Sequence, residues 1–320
     1  MERMRAIGLM QYGDKSVLQE IEMKTPLLGD NDVLIEVYAA GINPVDWKIR
    51  EGLLQDVISY DFPLVLGWDV AGVVAAIGPN VTACKVGDEV YSRPDIERNG
   101  AYAEYVAVDE KYVAKKPRNL SFEEAASIPL VGLTSWQSLV KFANVQKGNK
   151  VLIHAGSGGI GTFAIQLAKS FGAHVATTTS TKNMQFVKDL GADTVVDYKT
   201  EDFSSLLHNY NIVFDVLGGD VLKDSYKVLA PNGKLASIYG PKGMEIPQTE
   251  ISREKNIESD HIFTEPNGYE LSLITELIEG GKIKPVVTHV LPLHVEGVKK
   301  AHHISESERA RGKIVLKKHW

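Results

Sequence analysis

Apolar positions in the first 120 residues come in short runs, "DVLIEVYAAGI", "DVAGVVAAIG", "VGDEVYS" and "GAYAEYVAV", separated by glycine, proline and aspartate. Runs of this length, rich in β-branched residues and bounded by turn formers, predict short strands and an all-β, barrel-like domain. From Ser121 the period lengthens to a helical one in "SFEEAASIPLVGLTSWQSLVKFANV". Ser121 is placed to cap, and Glu124, three residues on, completes a capping box, so a helix is predicted to begin there. Strand and helix patterns then alternate: "KVLIHAG", "IGTFAIQLAKSFG", "HVATTT", "TKNMQFVKDLG", "TVVDY", "IVFDVLG", "VLKDSYKVL", "GKLASIYG". Apolar strands alternating with helices predict an α/β, doubly wound parallel sheet. The helix "SLITELIEGGKI" follows, and the closing strand "GKIVLKK" is expected to pair back into the first domain.

Composition narrows the reading. A chain of 320 residues suits two domains. Hydrophobic residues at 44%, charged residues at 24% and a net charge of -6 argue against a nucleic-acid partner or an anionic membrane surface. No apolar run approaches the roughly 18 residues of a membrane helix, and the opening "MERMRAIGLMQYG" lacks the apolar core of a signal peptide, so the expected location is cytoplasmic. The single cysteine, Cys84, excludes intramolecular disulfides and multi-cysteine zinc sites, and reads as a packing residue.

Gly156, Gly158 and Gly161 form G-x-G-x-x-G between the strand predicted at Val151–His154 and an amphipathic helix. In that context the glycines of the Gly156, Ser157, Gly158 turn let backbone amides at the helix start approach a pyrophosphate. An NAD site carries an acid about 20 residues later, on the ribose 2'-hydroxyl. Here the strand ends "ATTTSTK", through Thr177, Thr178, Thr179, Ser180, Thr181 and Lys182. A carboxylate about 4 Å from a 2'-phosphate would be disfavoured by about 4 kcal/mol per unit charge pair at a dielectric near 20. Hydroxyls and a lysine favour NADPH, with its 2'-phosphate near Ser180 and Lys182; the other reading of Lys182 is a solvated charge.

Ordered blocks along essentially the whole chain resemble the medium-chain dehydrogenase/reductase superfamily. They are "AAGINPVDWKIREG" (39–52), "FPLVLGWDVAGVVAAIG" (62–78), "VGDEV" (86–90), "GAYAEYV" (100–106), "AASIPLVGLTSWQSL" (125–139), "VLIHAGSGGIGTFAIQLAK" (151–169), "GADTVVDY" (191–198), "VFDVLGG" (213–219) and "GKIVL" (312–316). Within it they resemble the zinc-independent quinone oxidoreductase (zeta-crystallin-like) and alkenal/enone oxidoreductase branch. That resemblance implies a GroES-like catalytic domain over 1–124 with 286–320, a Rossmann NADPH-binding domain over 125–285, a site in the cleft between them and a homodimer.

The zinc branch of this superfamily carries Gly-His-Glu where this chain has Gly67-Trp68-Asp69, and a cysteine near Pro44-Val45-Asp46. His302 and His303 are adjacent, so on a helix they diverge by about 100° and read as surface residues rather than a ligand pair. No metal is expected. Alcohol oxidation must stabilise an alkoxide, which suits a Lewis acid, whereas conjugate reduction sends charge to a delocalised enolate oxygen that hydrogen-bond donors can hold. The expected function is therefore reduction of quinones or activated C=C bonds; the alternative is an NADPH-binding protein with a structural or sensing role. A zinc-dependent alcohol dehydrogenase with an unusual site is the third and weakest reading.

By resemblance, Asn43 lies beside the nicotinamide, Thr134 reaches the nicotinamide-side phosphate or ribose, and Gly158, Gly159 and Ile160 supply backbone to the pyrophosphate. Tyr198 and Lys182 flank the 2'-phosphate, Leu217 and Gly218 border the adenosine, Tyr239 and Gly240 the nicotinamide, and Lys313 is a late phosphate contact. Asn43, Lys48 and Tyr60 are the catalytic candidates, the last two as groups able to polarise a carbonyl or relay a proton; the other reading makes Asn43 and Thr134 turn or cap residues, Tyr198 and Tyr239 packing aromatics and Tyr60 a surface residue. Trp68 is expected to fill apolar space at the base of the site.

Overall fold

The computed structural model describes residues 3–240 and 245–320. The chain forms two compact units, one of Met1–Leu133, Pro266–Gly281 and Pro285–Trp320, the other of Thr134–Glu265 and Lys282–Lys284.

The first unit is built on β-sheets. One has the order Gln19–Lys24, Arg3–Leu9, Leu64–Val65. The larger is centred on the strand Asp32–Ile42, which pairs with Val70–Ile77, Tyr105–Asp109 and Lys313–Lys317. The closing strand does pair back as expected, antiparallel, with Leu316 opposite Ala40. Alternation buries Val33, Ile35 and Val37 in a core that also holds Trp68 and Tyr102. The capping box at Ser121 is present, with Glu124 N–H donating to Ser121 Oγ at 3.2 Å and Ser121 N–H to Glu124 Oε2 at 2.9 Å.

In the second unit six strands run parallel in the order Thr194–Asp197, His174–Thr179, Lys150–Ile153, Tyr210–Asp215, Leu229–Ser237, Glu258–His261. Numbered along the chain this is 3-2-1-4-5-6, the Rossmann order, whose direction reverses between Lys150–Ile153 and Tyr210–Asp215. Ligands of such sheets bind beyond the carboxyl ends of the strands at that reversal.

The units divide at different residues from the sequence expectation. The helix Gly268–Glu279, expected with the Rossmann part, belongs to the first unit. Tyr91 Oη donates to Leu271 C=O at 2.7 Å, Arg118 pairs with Glu279 at 2.7 Å, and a Cβ on Gly268 would meet Val113 C=O at 2.4 Å. That tight approach to a strand of the first unit was invisible in a helix whose apolar stripe suits either partner.

Candidate cofactor and substrate site

The glycine turn leaves the strand Lys150–Ile153 and opens the helix Gly159–Ser170. Gly156 lies against the neighbouring strand, where a Cβ would fall 2.1 Å from Thr177 Oγ1. Gly158 is the reverse case: a Cβ there would meet only Ala155 C=O at 3.4 Å, so its face is open. No side chain caps this helix at Gly158. The amides of its first turn lack intrahelical acceptors and carry the positive end of the helix dipole. An open face without a Cβ beside uncapped amides fits a pyrophosphate.

The threonine strand divides its work in a way that composition did not show. Thr177 Oγ1 donates to Ile153 C=O at 2.6 Å, and Thr178 accepts the Ala155 N–H at 3.2 Å while its carbonyl accepts Gly156 N–H at 3.0 Å. These two brace the glycine turn from within. Thr179 and Ser180 remain at the strand end, where Thr179 donates to Ser157 Oγ at 3.1 Å and Asn183 Nδ2 reaches Ser157 and Ser180 at 3.0 and 3.3 Å. Lys182 is exposed beside them.

Three residues here escaped the sequence reading. His154 is fully buried, Nδ1 3.1 Å from Thr178 Oγ1 and Nε2 3.0 Å from Ser225 Oγ. Ser225 gives its own proton to Val221 C=O, so Nε2 carries the hydrogen, and burial drops the ring's pKa to about 3, keeping it neutral. The imidazole thus ties the turn to the helix Gly219–Val228. Asp215, buried with its pKa raised by desolvation, accepts the Leu217 and Gly218 amides and the Ser237 hydroxyl at 2.8 Å. Asp197 ends the strand beside Thr179 and accepts from Thr181 Oγ1 and Lys199 N–H. Its lowered pKa follows from those bonds, the Thr181 hydroxyl first. No spacing rule singles out an aspartate on the third strand.

Tyr198, Leu217 and Tyr239 come one or two residues after three of these strands and are 60%, 45% and 57% exposed. Gly218, at φ 71°, begins the helix behind Leu217, and Gly240 is exposed after Tyr239. Thr134 is 1% exposed, its hydroxyl 2.7 Å from Thr264 Oγ1 beyond the last strand.

In the first unit, Asn43 caps the helix Pro44–Arg50 and is 1% exposed. Its backbone N–H donates to Asp46 Oδ2 at 2.7 Å and its Nδ2 to Asp69 Oδ2 at 2.8 Å. The Nζ of Lys313, expected as a late phosphate contact, is buried against Asn43 Oδ1, Ile42 C=O at 3.0 Å and Asp69 Oδ2 at 3.1 Å, three acceptors for three protons. Asp69 Oδ1 accepts Leu130 N–H at 2.7 Å. Asp46 Oδ2 also accepts the Tyr102 hydroxyl at 2.8 Å, while its buried Oδ1 has no partner; burial raises its pKa to about 7.

Lys48 is half-buried, its Nζ 5.7 Å from the Trp47 ring centroid. Tyr60 is turned inward: its hydroxyl donates to Ile96 C=O at 2.9 Å, its ring lies 6.2 Å from that of Trp68, and burial raises its pKa. Trp68 is wholly buried and donates to Arg98 C=O at 3.1 Å, filling core volume as expected. His302 overturns its surface assignment. It is buried, 3.0 Å from the Arg50 guanidinium, which itself pairs with Glu306 at 2.7 Å; His303 is exposed. Burial pushes the Cys84 thiol up. Among the described residues no group of three or more His, Cys, Asp or Glu side chains is placed to hold a metal ion. No described helix is long and apolar enough to cross a membrane.

Two family patterns match the chain, "Alcohol dehydrogenase GroES-like domain" over residues 29–118 and "Zinc-binding dehydrogenase" over 190–316. The 2-methylene-furan-3-one reductase of Solanum lycopersicum is 37% identical across 98% of this chain and 79% of its own length. The chain belongs to the medium-chain dehydrogenase/reductase family. The NADPH-dependent alkenal/one oxidoreductase of Arabidopsis thaliana, chloroplastic by name, is also 37% identical, over 98% of this chain and 80% of that protein. The quinone oxidoreductase structure from Coxiella burnetii superposes with a TM-score of 0.87 at 34% identity, covering 99% of both chains. As a member of this family of pyridine-nucleotide-dependent enzymes, the chain is an oxidoreductase.

Proposed function

We propose that the protein is an NADPH-dependent, zinc-independent reductase of quinones or of the activated C=C of α,β-unsaturated carbonyls. The observation that carries the reading is the ligand-ready rim of the Rossmann sheet: an uncapped helix start, the open face of Gly158, and exposed Tyr198, Leu217 and Tyr239 after successive strands. Gly158, Gly159 and Ile160 would hold the pyrophosphate, and Ser180 and Lys182 the 2'-phosphate. NADPH held there would supply the hydride: to the β-carbon of an enone, with the electron pair passing to the carbonyl oxygen and a solvent proton completing the saturated product, or to a quinone, where hydride and proton together give the hydroquinone. The chain's own task is to orient the acceptor and supply donors to that oxygen. Trp68 in place of a ligating histidine, and a chain with one cysteine, favour chemistry that needs no Lewis acid. The names of the tomato and Arabidopsis relatives support the acceptor class.

The test is a panel of enones, alkenals and naphthoquinones, each with NADPH and with NADH, followed by loss of reduced-nicotinamide absorbance. Turnover with NADPH preferred is the expected result. Thermal stabilisation by NADPH without oxidation of any acceptor would replace this reading with a binding role.

A further inference from the structure

Lysine donates only and carboxylate accepts only, whereas a side-chain amide does one at each end. Asn43 lies between the two, Oδ1 toward Lys313 Nζ and Nδ2 2.8 Å from Asp69 Oδ2. A flipped amide would turn its NH2 toward an ammonium and its oxygen toward a carboxylate, two repulsive contacts in a site where Asn43, Asp69 and Lys313 are 1%, 0% and 5% exposed. The ion pair, 3.1 Å long, is locked in turn by Ile42 C=O on the lysine and Leu130 N–H on the aspartate. One amide hydrogen is thereby committed to Asp69, and one is left to donate. The ammonium against Oδ1 also draws electron density from the amide, which strengthens that remaining donor.

We propose that Lys313 and Asp69 are a positioning pair that fixes and polarises the Asn43 amide as the hydrogen-bond donor to the acceptor's carbonyl oxygen. This rests on the reductase reading above. It supplies internally, through a fixed cation one residue removed, part of the charge stabilisation for which related dehydrogenases use a metal, and it replaces the phosphate role assigned to Lys313 from sequence.

Removing one charge alone leaves the other buried and unpaired, which threatens the fold, so the decisive variant removes both: Lys313→Met with Asp69→Asn. Three quantities are compared with wild type: kcat for an enone at saturating NADPH, Kd for NADPH by fluorescence titration, and the Asn43 side-chain amide signals in ligand-free protein, assigned by their loss in Asn43→Ala. Pinning predicts that kcat falls tenfold or more, that Kd stays within twofold, and that the amide signals move toward those of an exposed asparagine. A Kd weakened tenfold with kcat retained would return Lys313 to phosphate binding and overturn the proposal. Unchanged kcat would overturn it too. If wild type oxidises NADPH with no acceptor at all, the reductase reading fails while the amide signals still judge the pinning: signals that do not shift in the double variant refute it.

Discussion

The glycine turn of the second unit and the Asn43 knot of the first are both polar, both sit at the end of a strand, and are built oppositely. The turn is neutral: backbone amides, threonine hydroxyls and an imidazole held uncharged at a pKa of about 3. It is braced on its inner side and open at Gly158. The knot concentrates Asp46, Asp69 and Lys313 where almost no solvent reaches. A neutral, braced turn suits a multiply charged ligand that brings its own field. Buried charge suits a reaction in which charge appears only in the transition state, since fixed dipoles and ions need no reorganisation then.

The largest effect should come from filling the braced side. In Gly156→Val the new side chain collides with Thr177, whose hydroxyl is already bonded to Ile153 C=O. Expected are a loss of stability of about 3 kcal/mol in urea unfolding and a large loss of NADPH binding. Gly158→Ala, with room for its methyl, should leave stability within about 0.5 kcal/mol while still weakening NADPH. If both variants fail alike, the distinction between braced and open sides is wrong.

These two regions also differ in how far they could be read from sequence. The turn was legible because its residues are consecutive and their spacing has one physical use. Its second strand was only half legible: the run of threonines was visible, but which hydroxyls face inward depends on register against Lys150–Ile153. The knot was not legible, because Asp69 and Lys313 stand 244 positions apart and a lysine before an apolar strand looks like any exposed end. His302 misled for a related reason. Helical geometry gave its angle from His303 correctly, but nothing local announced the buried Arg50 that receives it.

The knot makes a prediction about pH opposite in sign to that of the buried neutral His154 in the turn, and one substitution isolates it. Asp46 is held at a pKa of about 7 in the fold, against about 3.9 when unfolded. Between these values the native state binds more protons than the unfolded chain, so this group's contribution to stability declines as pH rises from about 4 to 7 and is level above. Asp46→Asn stays neutral and keeps an oxygen for the Asn43 amide and the Tyr102 hydroxyl. Its stability relative to wild type should therefore grow across that window, by at most about 4 kcal/mol, roughly three pKa units at about 1.4 kcal/mol each. Urea midpoints at pH 5 and pH 8 measure it; a difference that shrinks with pH would place the burial of Asp46 in error.

The open side of the turn is sharpened by Lys182→Glu. Replacing a cation by an anion at an exposed position costs about 1–2 kcal/mol against a 2'-phosphate after screening, roughly tenfold in Kd, and should leave NADH within about twofold. Equal losses for both cofactors would remove Lys182 from the phosphate and leave it a solvated charge. That outcome would also direct attention to Asp197, whose carboxylate ends the adjacent strand.

The smallest effect is expected from Tyr60→Phe, and the smallness is informative. Tyr60 is the catalytic candidate that carries a hydroxyl, and that hydroxyl is already spent on Ile96 C=O. Deleting it leaves that carbonyl without this donor, about 1 kcal/mol of stability, and should hold kcat within about twofold across pH, because burial has raised the phenol's pKa and made it a poorer acid. A tenfold fall in kcat with a changed pH profile would mean that the hydroxyl leaves Ile96 during turnover. Proton delivery would then belong to the β-rich unit's interior rather than to solvent, and the fixed Asn43 amide would share the acceptor's oxygen with a moving partner.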